Sequence, residues 1–177
     1  MPRKLLKQLL PGEETLREDQ QLKLLGPMLH NPNLWHLTRS SVATAVSVGL
    51  LIAFVPAPGQ MLLAATMAIL IGCNLPIAVA GVWVSNPLTM APLFYGAYRV
   101  GAWLLGETTH KVQFEVSVEW LSTQLSGIWQ PFLLGCLICG LACALVGNIA
   151  IRLIWRLHVW RRWRERKARR IAERRIA

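Results

Sequence analysis

The sequence predicts an all-α integral membrane protein, a small helical bundle of about four apolar segments whose helices are broken by Pro and Asn. Three observations predict it. Residues 40–98 form a run of 59 without a single Asp, Glu, Lys, Arg or His, bounded by Arg39 and Arg99. A charge at a bilayer centre costs about 2.5–3.5 kcal/mol on insertion scales, so hydrocarbon selects such a run and water does not. That run is interrupted at Pro56-Ala57-Pro58-Gly59-Gln60, at Asn74-Leu75-Pro76 and at Asn86-Pro87-Leu88-Thr89. Pro-Gly and Asn-Pro steps are turn signals. Finally, residues 1–39 hold six Lys/Arg and residues 152–177 hold eleven, with only Arg99 and Lys111 between them. Charged residues make up 16% of the chain, against about 25% in ordinary soluble domains.

Taken in order, residues 1–39 read as an amphipathic, mixed-charge lead-in, with a weak helix over 15–25 ended by Gly26-Pro27. His30 to Trp35 reads as a turn and an interfacial anchor, because Trp favours the headgroup level. Residues 40–55 form a first apolar helix with Ser41, Ala45, Gly49 and Ala53 at spacing four, a small-residue stripe that admits a close neighbour. At ~1.5 Å per residue it is about 24 Å long, short for a ~30 Å core. Residues 61–85 form a second run. A Pro inside a membrane helix usually only kinks it, so the expected form is one helix kinked near Pro76. Two half-helices meeting at Asn74 are the other reading. Residues 90–106 form a third run.

Residues 107–130 are polar and net acidic, expected as an external loop. Val112, Phe114, Val116, Val118 and Trp120 alternate there as in an extended or interface-lying piece, and a short amphipathic helix from about Ser117 fits equally. Residues 131–151 are 21 uncharged residues, the cleanest spanning helix. Gly135, Cys139, Cys143 and Gly147 make one small stripe, and Cys136, Gly140, Ala144 and Asn148 the next. The cysteines read as small buried groups, since no His or acid lies near the Cys136-x-x-Cys139 pair. Residues 152–177 continue as a basic helix carrying Trp155, Trp160 and Trp163. Cations beside a spanning helix attract anionic lipid headgroups at ~1 kcal/mol each, and nucleic acid is not the expected partner.

Positive charge marks the cytoplasmic side, so both termini are expected in the cytoplasm of a multi-pass protein. Three crossings over residues 40–106 plus one over 131–151 is the simplest count. One crossing plus a pair of re-entrant elements keeps the same parity.

No Ser/His/Asp set, Cys/His pair or phosphate-cradling glycine loop is present, so no enzyme, metal or cofactor is expected. What remains is a polar set in an apolar domain: Gln60, Asn74, Ser85, Asn86, Thr89, Tyr95, Tyr98 and Arg99. Pro56, Pro58, Gly59, Pro76 and Pro87 make the helix breaks. Uncharged amides and hydroxyls at broken helices are how transporters build a midplane site. Asn74 and Asn86 also suit plain helix capping. Arg99 either snorkels outward or faces inward as the cation available to an anionic headgroup.

Residues 25–150 resemble a bacterial family known as domain of unknown function 2062. The resemblance rests on Arg39 and its small-rich helix, Val55-Pro56-Ala57-Pro58-Gly59-Gln60, Asn74-Leu75-Pro76, Tyr98-Arg99-Val100-Gly101, and above all Trp83-Val84-Ser85-Asn86-Pro87-Leu88-Thr89. It implies an inner-membrane protein and no settled activity, and it does not extend to the basic tail. The functional expectation is a bacterial inner-membrane protein that binds or transports an amphiphilic, anionic, lipid-like substrate at its broken helices. The alternative is a structural or assembly protein of the membrane. Four short spans make a thin bundle, so self-association into a homo-oligomer is expected.

Overall fold

The computed structural model describes the backbone over residues 32–106 and 118–176. The helix expected over 15–25, His30 and the first half of the acidic loop lie outside the described residues. Among the described residues every element is a helix.

A short 3-10 turn, Pro32–Trp35, leads into α1, Arg39–Ala53, whose N-terminus is capped by the Thr38 side chain accepting from the Ser41 amide at 3.2 Å. Pro56 and Pro58 prevent α1 from continuing. Gly59, at φ 78°, turns the chain into α2, Gln60–Ile71. Here the structure corrects the single kinked helix expected over 61–85. α2 stops at Gly72 (φ 71°), and the Cys73 amide reaches back to the Ala68 carbonyl at 3.0 Å. A left-handed glycine with that 6→1 bond closes a helix rather than bending it. Asn74 then caps a separate helix, α3, Leu75–Val82. Pro76 stands in the first turn of α3, where its missing N–H costs nothing.

After a second break, Asn86 opens α4, Pro87–Leu105, and α3 and α4 are bent by 78° relative to each other. The last helix, α5, runs over Val118–Ile176, 59 residues. It begins near Ser117, so residues 118–130 of the expected external loop are helical.

Every other helix is arranged around α5 or α1. α1 runs antiparallel to α5: Ser47 meets Ala144 and Asn148, while Phe54 and Leu51 lie against Gly140. α4 is also antiparallel to α5, one storey further along. Ala97 lies on Gly135 and Gly101 on Pro131, so closely that a Cβ on either glycine would overlap the facing backbone carbonyl. The small stripe of α5 that includes Gly135 thus lets two backbones touch, with no side chain between them. Phe54, just past the end of α1, joins Phe94 and Tyr98 of α4 and Phe132 of α5 in one buried cluster. α3 crosses α1 at Gly49 and Gly81. A second cluster ties Leu34, Val48, Leu75 and Val79 together, with Trp155 packed against it.

α5 is long and apolar enough to cross a membrane over Trp129–Arg164, and α3 with α4 makes a second such element if the bent pair counts as one. α1 and α2 are apolar but shorter. Only 28% of the most apolar window of α5 is buried, unlike the core helix of a soluble domain. Leu133, Leu137, Leu141, Leu145 and Ile149 stand exposed at spacing four along it.

Candidate functional site at the helix breaks

Two of the three interruptions come together. The Gln60 amide donates to the Val55 carbonyl, which lies across the turn made by Pro56 and Pro58. Its carbonyl oxygen accepts from the Ser85 hydroxyl at 3.1 Å. Ser85 is buried, and its hydroxyl also lies 2.9 Å from the Val82 carbonyl at the end of α3, which accepts from the Ser85 backbone N–H at 3.0 Å as well. Gln60 and Ser85 are 25 residues apart. Their bond joins the α1–α2 turn to the α3–α4 break. Phe54, at the end of α1, packs on Gly140, the middle of the uncharged stretch 131–151. The joined breaks therefore stand level with the centre of the apolar part of α5.

Asn86 and Thr89 adjoin this junction as a reciprocal cap. The Asn86 side-chain oxygen accepts from the Leu88 and Thr89 backbone N–H groups at 2.9 and 3.0 Å, and the Thr89 hydroxyl accepts from the Asn86 backbone N–H at 3.1 Å. This is the capping-box arrangement with Asn and Thr in the two roles. Pro87 follows Asn86 at the first position of α4, so the break loses no further hydrogen bond. Trp83 and Leu88 flank it, both exposed.

Asn74 does not belong to the junction. It is 1% exposed. Its oxygen accepts from the Ile77 amide at 3.2 Å and its amide reaches the His36 carbonyl at 3.4 Å. The α2–α3 turn is thereby fastened beside the entry to α1. Tyr98 is buried between α4 and α5, whereas Tyr95 and Arg99 are exposed on α4. Arg99 stands twelve residues beyond Pro87, about 18 Å along the helix at ~1.5 Å per residue, too far to touch the junction. Of the residues singled out in the sequence, Gln60, Ser85, Asn86 and Thr89 are brought together. Asn74, Tyr98 and Arg99 are set apart.

Sequence reasoning missed one polar group. Between α1 and α5, the Asn148 amide donates to the Ala43 carbonyl at 3.2 Å and to the Ser47 hydroxyl at 2.9 Å. The Ser47 hydroxyl reaches the Ala144 carbonyl at 3.1 Å. The Arg152 Nε donates to the Asn148 oxygen at 2.6 Å. Asn148 appeared only as a small stripe member. Its being polar inside an apolar helix was the available signal, since such residues are rare and face other helices. The four cysteines carry free thiols. Among the described residues no three His, Cys, Asp or Glu side chains cluster to hold a metal ion. At the junction the Gln60 amide and the Ser85 and Thr89 hydroxyls are hydrogen-bonded to the carbonyls of Val55, Val82 and Val84; the second N–H of the Gln60 amide is the donor left to a polar group in this apolar setting.

Neither curated proteins nor solved structures contain a match to the chain. A family model does match, over residues 22–164. Those residues take in every helix break, the junction and the Ser47–Asn148 pair. The chain belongs to that family, described as an uncharacterized protein conserved in bacteria (DUF2062).

Proposed function

We propose that this is an integral protein of the bacterial inner membrane, built from one re-entrant hairpin and two crossings. α1 and α2 enter from the side of both basic tails, turn at Pro56 and Pro58 near the bilayer centre, and return. α3 and α4 form one broken crossing, and α5 crosses back. The fastening of Asn74 to His36 supports the return of α2. The 78° bend supports treating α3 and α4 as one interrupted span. Helix lengths agree, since α1 and α2 measure about 22 and 18 Å at ~1.5 Å per residue, against a ~30 Å core. This count keeps both termini in the cytoplasm, as the positive tails require. Cation–π contacts, Arg164 over Trp160 at 3.5 Å and Lys167 over Trp163 at 5.4 Å, suit a tail that lies among anionic headgroups.

The function this geometry supports best is the binding or transport of an amphiphilic, anionic, lipid-like substrate at the joined breaks. One observation carries it: the Gln60–Ser85 bond links two helix ends level with the middle of the apolar stretch. Freed backbone groups at that depth persist only where protein or a wet cavity satisfies them. Arg99, exposed nearer the far end of α4, would draw the anion. A structural or assembly role is the second reading. It is favoured by the capping geometry, because Asn74 and Asn86 already spend their amide groups on backbone.

The test is transport in vesicles. Purified protein is reconstituted with a fluorescent anionic phospholipid, and its movement between leaflets is followed. The transport reading expects movement that Asn86→Ala and Arg99→Ala both slow, with Arg99→Lys milder than Arg99→Ala. Inserted wild-type protein that moves no lipid favours the structural reading, and an Arg99→Ala protein with full activity would refute the role of Arg99 in drawing the anion.

A further inference from the structure

We infer that Arg152, held by Asn148, which Ser47 and Ala43 hold in turn, forms a discrete site for a phosphate-bearing anion at the basic end of α5. The inference rests on the membrane-spanning reading of α5 and not on the broken-helix site.

Asn148 is the anchor of this site. Its amide nitrogen has two donors, and both are used, on the Ala43 carbonyl and the Ser47 hydroxyl of α1. That fixes which way the amide faces. With the nitrogen toward α1, the oxygen must point along α5, and there it accepts from Arg152 Nε at 2.6 Å. An ordinary surface arginine samples many rotamers. Here one edge of the guanidinium is tied, through Asn148, to the backbone of a second helix. A guanidinium has five N–H donors in a rigid plane. With Nε engaged, the paired terminal nitrogens remain as a fork, and Arg152 is exposed. No other partner for it lies among the described residues. A planar fork held at one edge suits bidentate binding of two oxygens of a phosphate or carboxylate.

The surroundings choose between anions. Leu145, Ile149, Arg152 and Arg156 share one stripe of α5 at spacings of four, three and four, and all four are exposed. Residues at those spacings lie one above another on a helix. The stripe is apolar above Arg152 and cationic at and below it. That order matches an amphiphile whose phosphate sits at Arg152 and Arg156 while its chain runs upward past Ile149 and Leu145. The last uncharged residue of the spanning stretch is Ile151, so Arg152 stands where a headgroup would. A free phosphate offers the same oxygens without the chain.

The experiment uses the full chain in zwitterionic detergent and measures equilibrium binding of radiolabelled dihexanoyl phosphatidylglycerol, with and without excess inorganic phosphate. Arg152→Gln should weaken binding roughly tenfold, the scale of charge-assisted hydrogen bonds. Arg161→Gln, which removes the same charge from an exposed position of the tail, should weaken it less than about twofold, the scale of an exposed charge. Arg152→Lys keeps the charge and loses the fork, and should fall between the two. Asn148→Ala leaves every charge in place and should also weaken binding. Displacement of the lipid by inorganic phosphate would assign the site to the free anion, and failure to displace it would assign the lipid; both support the site. Equal effects of Arg152→Gln and Arg161→Gln, or none from Arg152→Gln in folded, detergent-bound protein, would overturn it. A chain that does not partition into detergent or bilayer at all refutes the membrane reading instead.

Discussion

Replacing Gly49 by Ala tests the packing at its tightest point between α1 and α3. A Cβ built on Gly49 would lie 2.6 Å from the Ala78 carbonyl oxygen and 2.8 Å from the Gly81 Cα. Ordinary close carbon–oxygen contacts run about 3.3–3.6 Å, so the shortfall is roughly 0.7 Å. Both obstructing atoms are backbone, and no rotamer change relieves them. One helix must move away, which loosens the Val48 and Val79 cluster beneath. Overpacking of this kind costs about 1–3 kcal/mol. For a chain of this size each kcal/mol corresponds to about 2–4 °C in Tm. Gly96 supplies the control. It is also a helical glycine, but a Cβ there meets nothing within 4 Å, and Ala is favoured over Gly in a helix by about 1 kcal/mol. Thermal melts of purified protein in detergent should therefore show Gly49→Ala melting several degrees below wild type and Gly96→Ala level with it or above. A Gly49→Ala protein as stable as wild type, or equal losses in both variants, would refute the close-approach argument.

Three further predictions follow from the same geometry. Gly135→Leu should abolish assembly of α4 on α5, read as loss of monodisperse protein in size-exclusion chromatography, because the facing Ala97 carbonyl leaves no room for a Cβ. Replacing Cys139 and Cys143 together by Ala should leave expression and melting close to wild type, since both are only partly buried beside the Phe54 cluster; a bound metal lost in the double variant would count against this. Gln60→Leu and Ser85→Ala should each lower stability by about 0.5–1.5 kcal/mol, and the double variant should cost less than the sum, because the two groups bond each other. Strict additivity in that cycle would argue that the two breaks are not joined.

The helix breaks were legible because each carries its own local chemistry. Asn86-Pro87-Leu88-Thr89 spells a cap followed by a proline in the first turn, and Pro56-Ala57-Pro58-Gly59 cannot remain helical. The expected kink at Pro76 went astray because Pro76 looked like the disruptive residue. The helix is in fact ended four residues earlier, by the left-handed Gly72, and a glycine in an apolar run gives no sign of its φ. Which breaks meet was not legible either. Gln60 and Ser85 are joined by a tertiary contact across two helices, with no periodicity to betray it. The same holds for Ser47 and Asn148, 101 residues apart. Local rules reach as far as caps and stripes, while the junction depends on how α2 and α3 return.

That return is tested most directly by labelling single cysteines from either side of the membrane. In a chain with the four native cysteines replaced by Ala, Ile71→Cys and Pro58→Cys are placed at the α2–α3 turn and at the α1–α2 turn. A membrane-impermeant maleimide is then applied to sealed vesicles of known orientation. The re-entrant arrangement predicts that Ile71→Cys reacts only from the side that carries the C-terminal tail, and that Pro58→Cys does not react from the opposite face. Rapid labelling of Pro58→Cys from the opposite face, with Ile71→Cys protected from both, would mean that α1 and the 61–85 segment each cross the bilayer, and would contradict the account.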